Sequence, residues 1–536
     1  MYFHIISLAV LGALAAAASN QTELRSFGLR NGFKEIDVVS NDATLKAIIF
    51  DPSPKSDSEK NPTIIFISSW GMNKWEYVEP AHEYAKKGYT VLSYTSRGFW
   101  QSGGEISLAG TPDQEDVSNM ISWVVDNTNA DPARIGLSGI SYGGGLSLLG
   151  SAKDARVKSA VAMSCWVDIA ESFLGNGETI RVEAAKMLQV LAEITGNPSD
   201  GLEELFVDYF ANSNLDYLYN FTYDSSAKNF VSDINEHNPA VFIANALGDS
   251  LFTPNQFLPF FNDDLTVSSK HLEFAPGDHA GPELVGLLGL PDQVWKRAME
   301  WNDFYLLENH PNTDDIRAEN EDMALVVLNT KDGREIEKYD TWADVTTETA
   351  VYELAAKETL VPAAVTEDPS VIVSITTGTG AGITGGVAFL SETAEAAIDV
   401  QKPVLMSSID RERAAVFVTP RERHSEEEHY RGVPVADLNI IPQSTNGSLV
   451  VYILAVDELN FGHLFTFSPW TFKGATPGEP LAISIPITVT CYDIPAHYDL
   501  AMVVATQDAP LYLDENPPDL SLQFLSGSKL TMPINK

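Results

Sequence analysis

The five residues Gly-Ile-Ser-Tyr-Gly at 139–143 place a serine between two glycines, a spacing that suits a nucleophile. The run before them, residues 134–138, reads as a strand, and the run from Tyr142 onward reads as a helix. A serine on such a sharp strand-to-helix turn projects its hydroxyl over the edge of the sheet, where it can attack a carbonyl carbon. We therefore predict that Ser141 is a nucleophile.

A serine hydroxyl is a weak nucleophile unless a base accepts its proton, and the base needs an acid to orient it. Asp249 closes the strand-like run AVFIANALGD, and His279 follows the next such run. We predict that Asp249 orients His279, which acts first as general base and then as general acid. Asp168, which follows the preceding strand, is a rival acid. His271 ranks below His279 because it begins its strand and does not follow it.

The oxyanion formed by such an attack needs hydrogen-bond donors. The backbone N–H of Tyr142, the residue after the nucleophile, is one expected donor. The second is expected in the loop WGMNKWEY after the strand-like run IIFISS, from the N–H of Trp70 or Gly71. Trp70, Trp75 and Tyr77 could also line an acyl pocket, although clustered aromatic residues more often form packing.

The elements around these residues predict two domains. Short β-branched runs alternate with helical periodicity over residues 19–320, which indicates a largely parallel sheet with helices on both faces. Residues 168–238 have helical spacing only and predict a cap over the site. A polar linker is expected at 310–322. Strand-like runs and turns then fill residues 321–536, which predicts an all-β sandwich or jelly roll.

Charge and the N-terminus limit the partners and the location. The 536 residues contain 34 Lys+Arg and 74 Asp+Glu, a net charge of -40, which repels nucleic acids and anionic membranes. We expect neither as a partner. Residues 1–18 read as a signal peptide cleaved after Ala18, the alternative being an uncleaved anchor, so secretion is predicted. Sequons at Asn20, Asn220 and Asn446 fit a glycoprotein.

No cofactor is expected from the motifs. The pattern Gly380-x-Gly382-x-x-Gly385 matches a dinucleotide-binding pattern, but no clear helix follows it, so we assign it to a loop of the β domain. No metal-ligand spacing of His or Cys is present. Cys165 lies in an apolar run and is predicted to be a buried thiol.

Four segments, residues 131–144, 96–104, 230–256 and 297–306, resemble the family of Xaa-Pro dipeptidyl-peptidases, cocaine esterase and α-amino-acid ester hydrolases. The resemblance implies an α/β-hydrolase core, a helical cap and a jelly-roll C-terminal domain. It also implies that the family's catalytic serine, aspartate and histidine correspond to Ser141, Asp249 and His279.

Two departures qualify what the resemblance implies. Family members often place a tyrosine hydroxyl in the oxyanion hole, where this chain has Trp70, so a hole built from backbone N–H groups is favoured. A dipeptidyl-peptidase also needs an acid for the substrate's ammonium group, and Glu178, Glu183 and Asp208 of the cap are open candidates.

The sequence thus predicts a secreted serine hydrolase that cleaves a carboxylic ester or amide of a small molecule or short peptide through an acyl-enzyme. A binding protein on an inactive hydrolase fold and an acyltransferase with the same triad are the alternatives.

Overall fold

The structure of the chain is a computed structural model. The described residues are 22–53, 59–307, 327–328, 336–356, 358–362, 370–378, 383, 403–420, 426–508 and 511–536. The predicted signal peptide, the predicted linker and the glycines of the motif at 380–385 lie outside them. The limits of the two domains therefore stay predictions.

The N-terminal half is built on an eight-stranded sheet in the order β1-β2-β4-β3-β5-β6-β7-β8. Its strands are β1 Lys34–Ser40, β2 Ala43–Phe50, β3 Asn61–Ile67, β4 Thr90–Tyr94, β5 Ala130–Ile140, β6 Val157–Met163, β7 Ala240–Ala246 and β8 Lys270–Ala275. Strands β1 and β2 are antiparallel to their neighbours, and the other six run parallel. The β-branched residues of these six parallel strands are buried because apolar clusters cover both faces of the sheet.

Helices connect the strands and cover the sheet. The described helices of seven or more residues after β3 are α1 Val78–Lys86, α2 Thr111–Asn127, α3 Tyr142–Lys153, α4 Ile169–Glu178, α5 Val182–Thr195, α6 Asp200–Phe210, α7 Leu215–Phe221, α8 Val231–His237 and α9 Gln293–Leu306. A further helix spans residues 22–30. Helices α4 to α8 lie between β6 and β7, in the segment where the sequence predicts a cap. None of the described helices is long and apolar enough to cross a bilayer.

The C-terminal part is a largely antiparallel β structure with its own apolar cores. Its strands are β9 Val327–Leu328, β10 Ile336–Glu337, β11 Glu348–Ala355, β12 Thr359–Pro362, β13 Val371–Thr376, β14 Val404–Leu405, β15 Ala414–Val418, β16 Glu428–Gly432, β17 Val435–Ile441, β18 Gly447–Val456, β19 Phe461–Phe472, β20 Leu481–Pro486, β21 Thr490–Ile494, β22 Asp499–Ala505, β23 Ser521–Leu525 and β24 Lys529–Asn535. The predicted fold class, a hydrolase-type α/β core followed by a β domain, is confirmed.

Candidate active site

Ser141 lies on the turn between β5 and α3 with a φ of 56°, a conformation that is rare for residues other than glycine. The turn is possible because its flanking glycines are packed against backbone. A Cβ atom on Gly143 would lie 2.0 Å from the carbonyl oxygen of Ile67, and one on Gly139 would lie 2.4 Å from the carbonyl carbon of Gly143. The geometry is that of the strand–turn–helix predicted for a nucleophilic serine.

His279 joins Ser141 to Asp249. Its Nε2 lies 2.9 Å from the Ser141 Oγ, and its Nδ1 lies 3.0 Å from one carboxylate oxygen of Asp249. The other Asp249 oxygen accepts the backbone N–H groups of Leu251 and Phe252 at 2.9 and 2.7 Å. Because the carboxylate accepts a hydrogen bond from Nδ1–H, the Nε2 lone pair is left to accept the serine hydroxyl proton. All three predicted side chains are buried and brought together.

Burial changes the pKa of Asp249, the acid in the group formed by Ser141, His279 and Asp249. It raises the pKa of Asp249, as does the nearby Asp278, while the hydrogen bond from His279 and the charge on that ring lower it. Burial is the largest of these effects. An imidazolium formed at His279 would lie beside the Asp249 carboxylate, which would stabilise it.

The two rival residues lie elsewhere. Asp168 caps the N-terminus of α4 by accepting the Glu171 backbone N–H, and it forms an ion pair with Lys228. His271 is buried and stacked on Phe242 with ring centroids 4.5 Å apart. The structure brings neither of them into hydrogen-bond contact with Ser141.

Two of the three residues predicted to supply oxyanion donors lie beside the nucleophile. Trp70 and Tyr142 line the same cavity as Ser141. Within the described part of the chain, the backbone N–H groups of Trp70, Gly71 and Tyr142 donate to no protein acceptor. The Trp70 indole N–H donates to the Leu188 carbonyl of α5 at 2.9 Å, so this side chain is tied to the cap. A hole made of backbone donors remains the arrangement compatible with these contacts.

A buried carboxyl group that the sequence did not reveal supports the same loop. Glu76 accepts the Ser69 backbone N–H at 2.8 Å, and its other oxygen lies 2.6 Å from the Ser69 hydroxyl oxygen. Burial raises the pKa of Glu76 to about 7. Tyr77 accepts the Ile140 N–H at 2.9 Å and thereby links this loop to the nucleophile turn. No sequence signal distinguishes Glu76 from a surface acid.

Asp278 is a second buried carboxyl group, directly before His279 in the chain. Its Oδ1 accepts the backbone N–H of Ser250 at 2.8 Å and that of His279 at 2.6 Å, and its Oδ2 lies 3.1 Å from the Ser250 hydroxyl. It therefore fastens the loop of Asp249 to the loop of His279.

The cavity beside Ser141 is almost entirely apolar. It is lined by Trp70, Leu108, Ser141, Tyr142, Trp166, Ile169, Phe173, Leu188 and Phe252. Trp75 and Tyr77 do not line it and lie in the apolar cluster on the other face of the sheet, which agrees with the packing role that the sequence favours for them. Such a lining favours an apolar group over a charged one.

The three candidate ammonium ligands lie outside this lining. Glu178 pairs with Lys473 at 2.8 Å, and Asp208 accepts the Asn214 side chain at 2.8 Å. Glu183 is buried on α5. Among the described residues, no carboxylate lines the cavity.

One cluster of the described residues, Glu427, His429 and Asp493, has metal-ligand spacing. It lies in the β structure, and the Arg431 Nη2 is 2.7 Å from Asp493 Oδ1, where a guanidinium competes with any cation. We infer no metal site from it.

Comparison with known proteins agrees with this geometry. Residues 41–281 match the X-Pro dipeptidyl-peptidase (S15) family, and this range includes Ser141, Asp249 and His279. These residues are similar to the S15 family. The S15 match agrees with the resemblance found in the sequence.

Solved structures extend the likeness beyond the residues that match the S15 family. A CocE/NonD family hydrolase from Staphylococcus aureus superposes with a TM-score of 0.70 at 14% identity, covering 94% of this chain and 93% of its own. An aminopeptidase from a marine sediment Thaumarchaeota archaeon gives 0.69 at 14% identity, covering 94% and 97%. An α-amino acid ester hydrolase gives 0.66 at 14% identity, covering 94% and 96%. These likenesses show the fold.

Curated relatives match shorter parts. An uncharacterized 31.7 kDa protein of Escherichia coli is 31% identical over 128 residues, which are 24% of this chain and 44% of that protein. A polyketide transferase of Penicillium sp is 26% identical over 156 residues, 28% of this chain and 50% of that protein. The alignments thus span half or less of these relatives.

Proposed function

We propose that this protein cleaves a carboxylic ester or amide through an acyl-enzyme on Ser141. The observation that carries the proposal is the chain of hydrogen bonds from the Ser141 hydroxyl through His279 to Asp249, at 2.9 and 3.0 Å. Nucleophile, base and orienting acid are each within hydrogen-bond reach of the next. An inactive binding protein on this fold would have no need of that alignment.

In the proposed reaction, the Ser141 Oγ attacks the carbonyl carbon while His279 Nε2 accepts the hydroxyl proton. The developing oxyanion accepts hydrogen bonds from the backbone N–H of Tyr142 and from that of Trp70 or Gly71. The intermediate collapses when His279 returns the proton to the leaving alcohol or amine. Water, deprotonated by the same histidine, then releases the acid and restores Ser141.

The apolar lining favours a small-molecule ester or short peptide with an apolar acyl group beside the nucleophile. The family name points to peptides with an ammonium group, but the described lining offers no carboxylate to bind one. The Penicillium relative, a polyketide transferase, keeps acyl transfer to an alcohol or amine as the second candidate. Product analysis with added alcohols or amines distinguishes transfer from hydrolysis.

The test is covalent labelling with a fluorophosphonate probe, followed by mass spectrometry of the labelled peptide. We expect label on Ser141 in the wild type and none in Ser141→Ala. In His279→Ala the labelling rate should fall by about 10²-fold or more, because general base catalysis is lost. His271→Ala, which alters a histidine outside the site, is the matched control and should label normally.

A folded wild-type protein that takes up no label would reject the hydrolase proposal.

Secretion and glycosylation are proposals of their own, which rest on the residues before Ser19 and on the sequons. Expression of the full chain in a secreting eukaryotic cell, with N-terminal sequencing and glycosidase treatment of the medium fraction, tests both. Retention of residues 1–18 in the mature protein would contradict the cleavage expected after Ala18.

A further inference from the structure

Arg181 is a buried arginine without a carboxylate partner. It lies in the cap between α4 and α5, and only 3% of its surface is exposed. Its Nη1 donates to the Ser250 carbonyl at 3.0 Å, and its guanidinium lies 5.8 Å from the centre of the Tyr512 ring. The Nε is buried and has no hydrogen-bond partner. No bond from Nη2 to another described residue accompanies it.

The Nε and Nη2 atoms of Arg181 form the edge of the guanidinium that other arginines of this protein use to bind carboxylates. Four other arginines of the described residues use Nε and Nη2 together to bind both oxygens of one acid at distances of 2.5–3.1 Å. These pairs are Arg97 with Asp116, Arg156 with Asp154, Arg297 with Glu273 and Arg431 with Glu337. Such parallel bonds are the strong, planar mode of recognition for a carboxylate. At Arg181 this edge binds no carboxylate of the described residues.

An unpaired buried cation is costly, and it persists where something offsets the cost. The charge of Arg181 acts on the nearby acid Glu171. Burial raises the pKa of Glu171, although the charges of Lys228 and Arg181 act to lower it. Its carboxylate forms no ion pair with Arg181 within 4.0 Å in the described part of the chain.

Arg181 lies beside the candidate active site. Ser250, which its Nη1 contacts, directly follows Asp249. The Arg181 backbone N–H donates to the Tyr209 hydroxyl at 2.7 Å, and this hydroxyl donates to the carbonyl of Phe173, a residue of the cavity lining. Arg181 therefore contacts the loop of Asp249, and its backbone is joined through Tyr209 to a residue of the cavity lining.

We propose that Arg181 binds a carboxylate of the substrate through its Nε and Nη2. This inference rests on the proposed function and narrows its substrate class to esters or amides that carry a free carboxylate. The carboxylate belongs either to the acyl part or to the leaving group, and the chemistry recognised is the same.

The kinetic test compares esters that differ only in charge. For the acyl side, the pair is the para-nitrophenyl monoester of glutaric acid and para-nitrophenyl pentanoate. For the leaving group, the pair is para-(pentanoyloxy)benzoate and its methyl ester. We expect the wild type to favour the charged member of one pair by about 10- to 100-fold in kcat/KM, as bonds to charged groups allow. Arg181→Met should abolish that preference and leave the neutral ester within about threefold.

Two further variants separate recognition from general electrostatics. Arg181→Lys keeps the charge but loses the planar pair of donors, so it should retain only part of the preference. Lys228→Met removes a cation of the same cap that already pairs with Asp168, and it should keep the full preference. Thermal unfolding of each variant checks folding. A wild type that treats both members of both pairs alike would overturn the proposal.

A binding measurement makes the result independent of hydrolysis. In Ser141→Ala, calorimetric titration with methyl hydrogen glutarate should show tighter binding than with dimethyl glutarate, and adding Arg181→Met should remove the difference. Arg181-dependent binding without Ser141 labelling would reject the proposed hydrolase and retain the carboxylate site. Labelling of Ser141 without any Arg181-dependent preference or binding would reject the carboxylate site and retain the proposed hydrolase.

Discussion

At the scale of single residues, Glu76 shows how burial converts a common acid into a pH-dependent support of the site. Its neighbours, the N–H and hydroxyl of Ser69, satisfy both carboxyl oxygens, and Ser69 Oγ also lies 3.0 Å from the Ile140 carbonyl oxygen. Burial nevertheless dominates and raises the pKa of Glu76 from 4.5 to about 7. The protonated form is therefore favoured in the folded protein at mildly acidic pH.

Glu76 should make the folded protein less stable as pH rises. Because its folded pKa exceeds its unfolded value, its contribution is fully present below about pH 4.5 and is lost as pH rises through about 7. The loss amounts to about 3 kcal/mol at most. Glu76→Gln mimics the neutral acid, so urea unfolding at about pH 5 and about pH 8 should show a smaller decline in the variant. Glu83→Gln, exposed on α1, is the control, and parallel declines in all three proteins would contradict the assignment.

At the scale of elements, the position of Ser141 depends on how closely α3 approaches β3. Gly143→Ala places a methyl group 2.0 Å from the Ile67 carbonyl oxygen, so α3 must move away from the sheet. We expect a loss of about 1–3 kcal/mol in the free energy of unfolding and loss of fluorophosphonate labelling. Gly175→Ala, whose new methyl would meet no atom nearer than 3.7 Å, should leave both unchanged. Normal labelling of Gly143→Ala would show that the turn tolerates displacement.

The same elements show what the sequence could predict. The strand-like runs of β3 to β8 and the glycines around Ser141 have local signals, because period and turn chemistry act over a few residues. Glu76, Asp278 and Arg181 have none, since their environments come from segments far apart in the chain. No local sequence signal predicts the pairing of β11 with β24 either, although the sequence predicts the all-β character of that region. The packing of Trp75 and Tyr77 agrees with the commoner role of clustered aromatic residues, and only the fold shows that Trp70 alone of the three lines the cavity.

At the scale of the whole molecule, the β domain holds the part of the cap that contains Arg181. The backbone of Ile180 and Val182 pairs with Leu513 and Leu511 at 2.9 Å on either side of Arg181. Asn255, which follows Asp249 in the chain, also bonds the backbone at Ile487 and Val489. These contacts join the β structure to the segments that contain Arg181 and Asp249.

The net charge of the chain, -40, sets a whole-molecule condition on the proposed substrate. A carboxylate approaching so acidic a protein is repelled at long range, whereas its final contact with buried Arg181 is screened little by salt. Raising NaCl from about 0.01 M to about 0.1 M shortens the Debye length from about 30 Å to about 10 Å. We therefore expect kcat/KM for the preferred anionic ester to rise several-fold over this range, while the neutral ester stays constant. Stopped-flow release of the chromophoric product measures both. A fall with salt for the anionic ester would mean that a locally basic surface guides the substrate, against the net charge of the molecule.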